Sequence, residues 1–171
     1  MRYYKLILIL LTVNLLSCEK ATDKLFWISE TTPERNDFLF LTESTNVERL
    51  KDDSLKLFLS NDEFVQFDSA SISYKNFGQI YKTDKFRVFV LLRSNETGRR
   101  NYLFLLRTFS NDWKIIDDFE LGILDEMRKK YCFGSINTDL IVERKCEDKE
   151  TSDIMQITEE GKIIMTPFHK Q

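Results

Sequence analysis

Histidine is nearly missing from this chain: one residue in 171, His169, third from the C-terminus. A Ser-His or Cys-His nucleophile pair would have to be built in the segment most prone to fraying, so His169 is read as inert. Glycine and proline are also scarce, at five and two, and this excludes collagen-like and proline-rich chains. With 42% apolar residues, wholly disordered classes are excluded as well. No Gly-x-Ser-x-Gly, His-Glu-x-x-His, phosphate loop, dinucleotide fingerprint or EF-hand loop occurs, and no sequence repeat suggests a solenoid. The expectation is therefore a protein with no catalytic residues, no metal site and no cofactor.

What is present begins at the N-terminus. Met1 to Lys5 carries two positive charges, and Leu6 to Val13 is apolar except for Thr12, too short a run to span a bilayer. Asn14 interrupts before Leu15-Leu16-Ser17-Cys18. These four residues resemble the lipobox of bacterial lipoprotein precursors, with Leu16 bulkier than usual for its place. The resemblance implies cleavage after residue 17, acylation of Cys18, and a lipid anchor far stronger than one acyl chain provides. The competing reading is an ordinary secretory signal with a chance cysteine. Residues 18–24 then form a short polar tether and residues 25–171 a single domain, by length. Glu19 and Asp23 in the tether only faintly resemble the acidic signal that sends some Bacteroidota lipoproteins to the cell surface, so either membrane face remains open.

Loss of Arg2 and Lys5 with the signal takes the basic residues from 25 to 23, against 28 acidic ones. A mature chain of this sign, without a basic patch, is not expected to bind nucleic acid.

From Phe77 onward the pattern is a β-meander of about seven strands. Phe86, Val88, Val90 and Leu92 share one parity, and Arg87, Phe89, Leu91 and Arg93 the other, so this strand is covered on both faces at its middle. Asn95-Glu96-Thr97-Gly98 and Ser110-Asn111-Asp112-Trp113 supply turns. The fold class expected is mainly β: an antiparallel meander curled into a sandwich or partial barrel, with one short helix in the N-terminal half, over Asp52 to Leu59 and capped by Asp52 or Asp53. Leu25 to Ile28 and Asp37 to Glu43 are candidate edge strands. Ile115 to Leu121, Gly134 to Asn137, Asp139 to Glu143 and Ile157 to Ile163 together resemble a pattern of small uncharacterised Bacteroidota lipoproteins. That resemblance implies a lipid-anchored antiparallel β-domain and no particular activity.

Cys132 and Cys146 face each other in a hairpin centred on Asp139, the register that also opposes Ile136 and Val142. A hairpin centred on Thr138 would make the cysteines diagonal neighbours, and a two-residue loop at Thr138-Asp139 would oppose Cys132 and Lys145. A disulfide is favoured by an oxidising compartment; two buried free thiols are the alternative. Asp68-Ser69-Ala70 resembles the Asp-Ser/Thr-aliphatic acceptor for O-glycosylation of exported Bacteroidota proteins, making Ser69 a candidate; Asp53-Ser54-Leu55 fits less well because Ser54 falls in the expected helix.

Among carboxylates, Asp117 is the best placed for hydrolase chemistry, with a rim charge or an ion pair to an arginine such as Arg107 as the simpler reading. Trp27, Trp113, Tyr74 and Tyr81 lie near expected turns and edges, where a ring serves as core or as binding anchor. These features favour a non-enzymatic cell-envelope protein, attached to the outer membrane on its periplasmic or outer face, that binds a protein or glycan partner. An accessory subunit, an inhibitor and an immunity-type protein all fit within that class. An envelope hydrolase working through carboxylates alone is the alternative, and a structural lipoprotein joined through a long bare sheet edge is a third reading.

Overall fold

The computed structural model describes residues 24–28, 47–67, 71–95 and 101–166. Within them the chain forms β1 (Lys24–Trp27), β2 (Glu48–Arg49), α1 (Asp52–Phe58), α2 (Asn61–Val65), β3 (Ile72–Lys82), β4 (Phe86–Asn95) and β5 (Asn101–Ser110). It continues through β6 (Ile115–Asp125), β7 (Lys130–Asn137), β8 (Ile141–Cys146), β9 (Asp153–Ile157) and β10 (Ile163–Met165). Strands β2 to β10 follow one another across one sheet in chain order, and β1 pairs with β7 off that path. Every pairing is antiparallel.

The double-faced pattern of β4 explains how the sheet is covered. Phe86, Val88, Val90 and Leu92 point into one apolar cluster with Phe104 and Leu106 of β5. Phe89 and Leu91 point into another with Leu55, Phe58 and Leu59 of the helical segment. The second cluster seats α1 and its flanks on the sheet. The first needs a different cover, and the meander supplies it by folding back on itself.

The fold-back starts at β6 and β7, whose ladder runs only from Ile123–Asp125 to Lys130–Cys132. Beyond it β7 parts from β6 and takes β1 as its partner over Ser135 to Asn137. Val142, Ile157 and Ile163 of β8 to β10 thereby join Val88, Leu106 and Leu121 in one core. Gly134 sits where the chain crosses: a Cβ there would strike the carbonyl oxygen of Leu121 and lie 2.8 Å from that of Glu143. Each fully buried Leu, Val or Phe in this core contributes about 1.5 to 3 kcal/mol.

The sheet curls without closing. Two side-chain bonds fasten the β9–β10 hairpin, in the second layer formed by β1 and β7 to β10, against the first layer of β2 to β6: Thr108 Oγ1 donates to the Gly161 carbonyl at 2.6 Å, and Ile163 N–H donates to Asp117 Oδ2 at 2.9 Å. Gly161, at φ 82°, provides the left-handed turn residue between those strands.

The mainly β meander is as expected, and Phe86 onward holds the seven strands counted from sequence. Several details differ. Two short helices replace the single one expected, because Ser60 opens a second with a capping box: its hydroxyl accepts from Glu63 N–H, and the Glu63 carboxylate accepts from Ser60 N–H. The N-cap of α1 is Lys51, with no side-chain cap bond, rather than Asp52 or Asp53. The meander starts at Ile72 instead of Phe77; the Gly78 bulge, at φ 98°, breaks the alternation that marks a strand in sequence. Lys24, placed in the tether by sequence, is the first residue of β1. The strand expected over Asp37 to Glu43 lies outside the described residues.

Candidate functional site

The helix-covered face of the first layer carries a buried arginine. Arg107 on β5 is directly opposite Asp118 on β6 and lies beneath α2. Only 1% of its surface is exposed. Its guanidinium forks onto Glu63, Nη1 to Oε2 at 3.0 Å and Nη2 to Oε1 at 2.8 Å. Nη2 also donates to Asp118 Oδ2 at 2.7 Å, and Nη1 to the Phe58 carbonyl at 2.6 Å. One side chain thus holds the end of α1, the first turn of α2 and the middle of β6.

Charge in this cluster is fixed by the pairing. Burial pushes the Glu63 carboxyl up, but the hydrogen bonds and charge of Arg107, with the bond from Ser60 N–H, hold it below the ordinary glutamate range. Burial opposes the charge on Arg107 as well, and its two carboxylate partners raise its proton affinity above normal.

Beside the cluster opens a cleft of about 610 Å³, with Ile72, Leu103 and Leu105 among its apolar walls. Glu63, Asp118, Arg93 and Arg144 bring charge to it. Tyr74, also on its wall, is kept from ionising chiefly by burial, with the Glu63 charge adding and Arg93 opposing. Arg144 reaches the cleft from β8 across the seam left by the fold-back. It donates to the Glu120 carbonyl at 2.9 Å and to Asp153 Oδ2 at 2.7 Å, and its guanidinium stacks 4.5 Å from the Phe119 ring. The hydrogen bond from Arg144, reinforced by Lys149, lowers the Asp153 carboxyl below the usual aspartate range. Mixed charge around an apolar floor suits recognition of a polar chain with some apolar character.

Asp117 does not face this cleft in the manner expected of a catalytic acid or of a partner for Arg107. The bulge between Thr108 and Phe109 sets the register so that Arg107 opposes Asp118, while Asp117 spends Oδ2 on Ile163 N–H and Oδ1 on Asp118 N–H. It is a fastener for β10. Glu63 was not singled out from sequence, although Ser60-Asn61-Asp62-Glu63 has the spacing of a capping box and would have located α2.

Cys132 and Cys146 are cross-strand neighbours joined by a disulfide, their Cα atoms 4.0 Å apart. Ile136 opposes Val142 in the same hairpin, the register centred on Asp139. Tyr74 and Trp113 pack into the helix-covered core, Tyr81 flanks the other core, and Trp27 is 55% exposed on β1. Cys18, Ser69 and His169 lie outside the described residues. Among the described residues no cluster of His, Cys, Asp and Glu could hold a metal ion, and no helix is long and apolar enough to cross a membrane. No protein-family model, curated protein or solved structure matches the chain.

Proposed function

We propose that the protein is a lipid-anchored module of the bacterial cell envelope that binds a protein or glycan partner through the cleft beside Arg107, without catalysing a reaction. The anchor rests on Leu15-Leu16-Ser17-Cys18. The observation that carries the binding reading is the double pairing of Arg107 with Glu63 and Asp118. Hydrolysis through two carboxylates needs one of them protonated near neutral pH, which requires a raised pKa. Glu63 is displaced in the other direction. The same ion pairs hold the cleft wall in one shape, and a preformed surface lowers the entropic cost of binding.

A photo-crosslinking residue at Gln66, exposed on the cleft rim, tests this in the native envelope. One discrete adduct is expected from that position, none from Asp112 at the far end of β5, and loss of the adduct when Arg93→Glu is added. Equal labelling from both positions would remove the cleft from consideration. Hydrolysis of an envelope glycan or peptide by the purified protein, abolished in Glu63→Gln, would favour the hydrolase alternative.

A further inference from the structure

The second layer turns an apolar face outward, on the side of the core opposite the Arg107 cleft. Strand register places its residues. Trp27 on β1 opposes Ser135, Ser135 opposes Glu143, and Glu143 opposes Ile154. In the neighbouring row Ile141 opposes Gln156, which opposes Ile164. Side chains in register across adjacent strands, and two apart along one strand, share a face. Trp27, Ile141 and Ile164 are 55%, 38% and 49% exposed there. Large apolar side chains displayed together mark a contact surface.

Two observations indicate what covers it. The face carries Lys24 and Lys145 within its strands and Lys162 just before β10, all exposed, against Glu143 in β8 and Glu147 just after it, a net positive balance that suits anionic headgroups in a chain whose overall charge is negative. In addition, six residue steps separate Cys18 from Lys24, a reach of at most about 20 Å even when fully extended. Trp27 follows three residues later on the same strand. If Cys18 carries lipid, β1 is held at the bilayer whatever path the tether takes, and tryptophan and lysine are the side chains that favour the headgroup level.

We propose that the outer face of β1, β8, β9 and β10, led by Trp27 and Ile164, rests on the headgroup region of the bilayer that Cys18 anchors. This deepens the lipoprotein reading and depends on it. The consequence is orientation: with the second layer against lipid, the Arg107 cleft faces away from the membrane and is open to a partner.

The test uses the full lipidated protein, purified from membranes and reconstituted into vesicles of phosphatidylethanolamine and phosphatidylglycerol containing brominated acyl chains. Trp27 and Trp113 are the two tryptophans, and Trp113 packs under the helices in the other core, so it is an internal reference. Bromolipid should quench the Trp27 emission, and the quenching should vanish in Trp27→Phe and persist in Trp113→Phe. Adding Ile164→Glu should reduce it while the protein still floats with the vesicles. Co-flotation with no quenching, or quenching unchanged in Trp27→Phe, would overturn the orientation and leave the anchor intact. A Trp27-dependent dimer in detergent with no quenching in vesicles would instead assign the face to a second copy. Absence of lipid mass on Cys18 with no flotation would overturn both.

Discussion

Replacing Arg107 with methionine removes the guanidinium while retaining much of the side chain's apolar length. Four hydrogen bonds disappear: two to Glu63, one to Asp118 and one to the Phe58 carbonyl. The cost is not that of a fully buried triad, because the Glu63 and Asp118 side chains are 31% and 48% exposed and water can solvate them once the arginine is gone. Arg107 also buries its Nε with no acceptor among the described residues, which offsets part of what the pairing contributes. Balancing a broken ion pair against partial resolvation, the substitution should cost about 3 kcal/mol, or roughly 6 to 12 °C in melting temperature. The acid limb of the stability profile should change too. Because the folded state lowers the Glu63 pKa, its contribution is complete above the ordinary glutamate range and is lost as pH falls through the lowered folded value. In Arg107→Met the main cause of that lowering is gone, so stability should fall less steeply with acid than in the parent. Urea titrations between neutral pH and pH 3, followed by circular dichroism, would measure both effects. A loss under about 1 kcal/mol at neutral pH, or an unchanged acid slope, would refute the role assigned to Arg107.

Gly134→Ala should cost more than 3 kcal/mol or prevent folding, since the obstructing atoms are backbone carbonyls of Leu121 and Glu143 that cannot rotate away; soluble yield and thermal melting of the mature domain would show it. Reduction of the Cys132–Cys146 bridge, 14 residues apart in sequence, should lower stability by about 2 to 3 kcal/mol, read as a drop in melting temperature with reductant that is absent in a Cys132→Ala/Cys146→Ala double variant. Thr108→Val should cost about 1 to 2 kcal/mol, because the Gly161 carbonyl is left without its 2.6 Å donor, and should raise hydrogen exchange in β10 before β4. Cys18→Ser should leave the membrane fraction for a soluble pool, and unchanged membrane partition would defeat the anchor.

The parts of the fold that were legible in the sequence are those where neighbouring residues decide. Phe86 to Arg93 announces a strand with two apolar faces because both parities carry large side chains, and the two cores receive them in that division. The hairpin about Asp139 is legible because turn residues and paired positions lie within 14 residues. Legibility fails where the deciding contact is distant. Glu63 and Arg107 are 44 residues apart, and nothing near Arg107 signals that a helix will descend on it. β3 fails for a local reason: its bulge at Gly78, with Asn76 Oδ1 accepting Gly78 N–H at 2.8 Å, disrupts the two-residue period. Asp117 and Asp118 show the limit most sharply. Both are acids on one strand, and the bulge beside them, which leaves Ile116 unopposed, decides which meets the arginine and which fastens β10.

The open sheet also bears on how the protein can assemble. A sheet that does not close has edges, and an edge of unpaired backbone groups recruits further strands unless it is short, bulged or covered. Here β10 is three residues long, and the Ile163 N–H on its outer side is already taken by Asp117. At the other end β2 contributes two residues against Lys75 and Asn76, and the register of β3 shifts on both sides of Gln79, twisting that strand out of a flat edge. A structural lipoprotein joined to its neighbours by strand addition requires a long bare edge, and among the described residues neither β10 nor β2 presents one. Two faces offer surfaces for association: the charged cleft beside Arg107 on one side of the core, and the face bearing Trp27, Ile141 and Ile164 on the other. Cutting Thr108 and Asp117 away from the β9–β10 hairpin would therefore do more than lower stability. With Thr108→Val and Asp117→Ala combined, Ile163 N–H is released and the β10 edge is free to pair, so self-association should rise with protein concentration in sedimentation velocity while the parent stays unchanged. A double variant that is less stable yet sediments like the parent would show that the length of β10, and not the occupation of its outer hydrogen bonds, is what protects this edge.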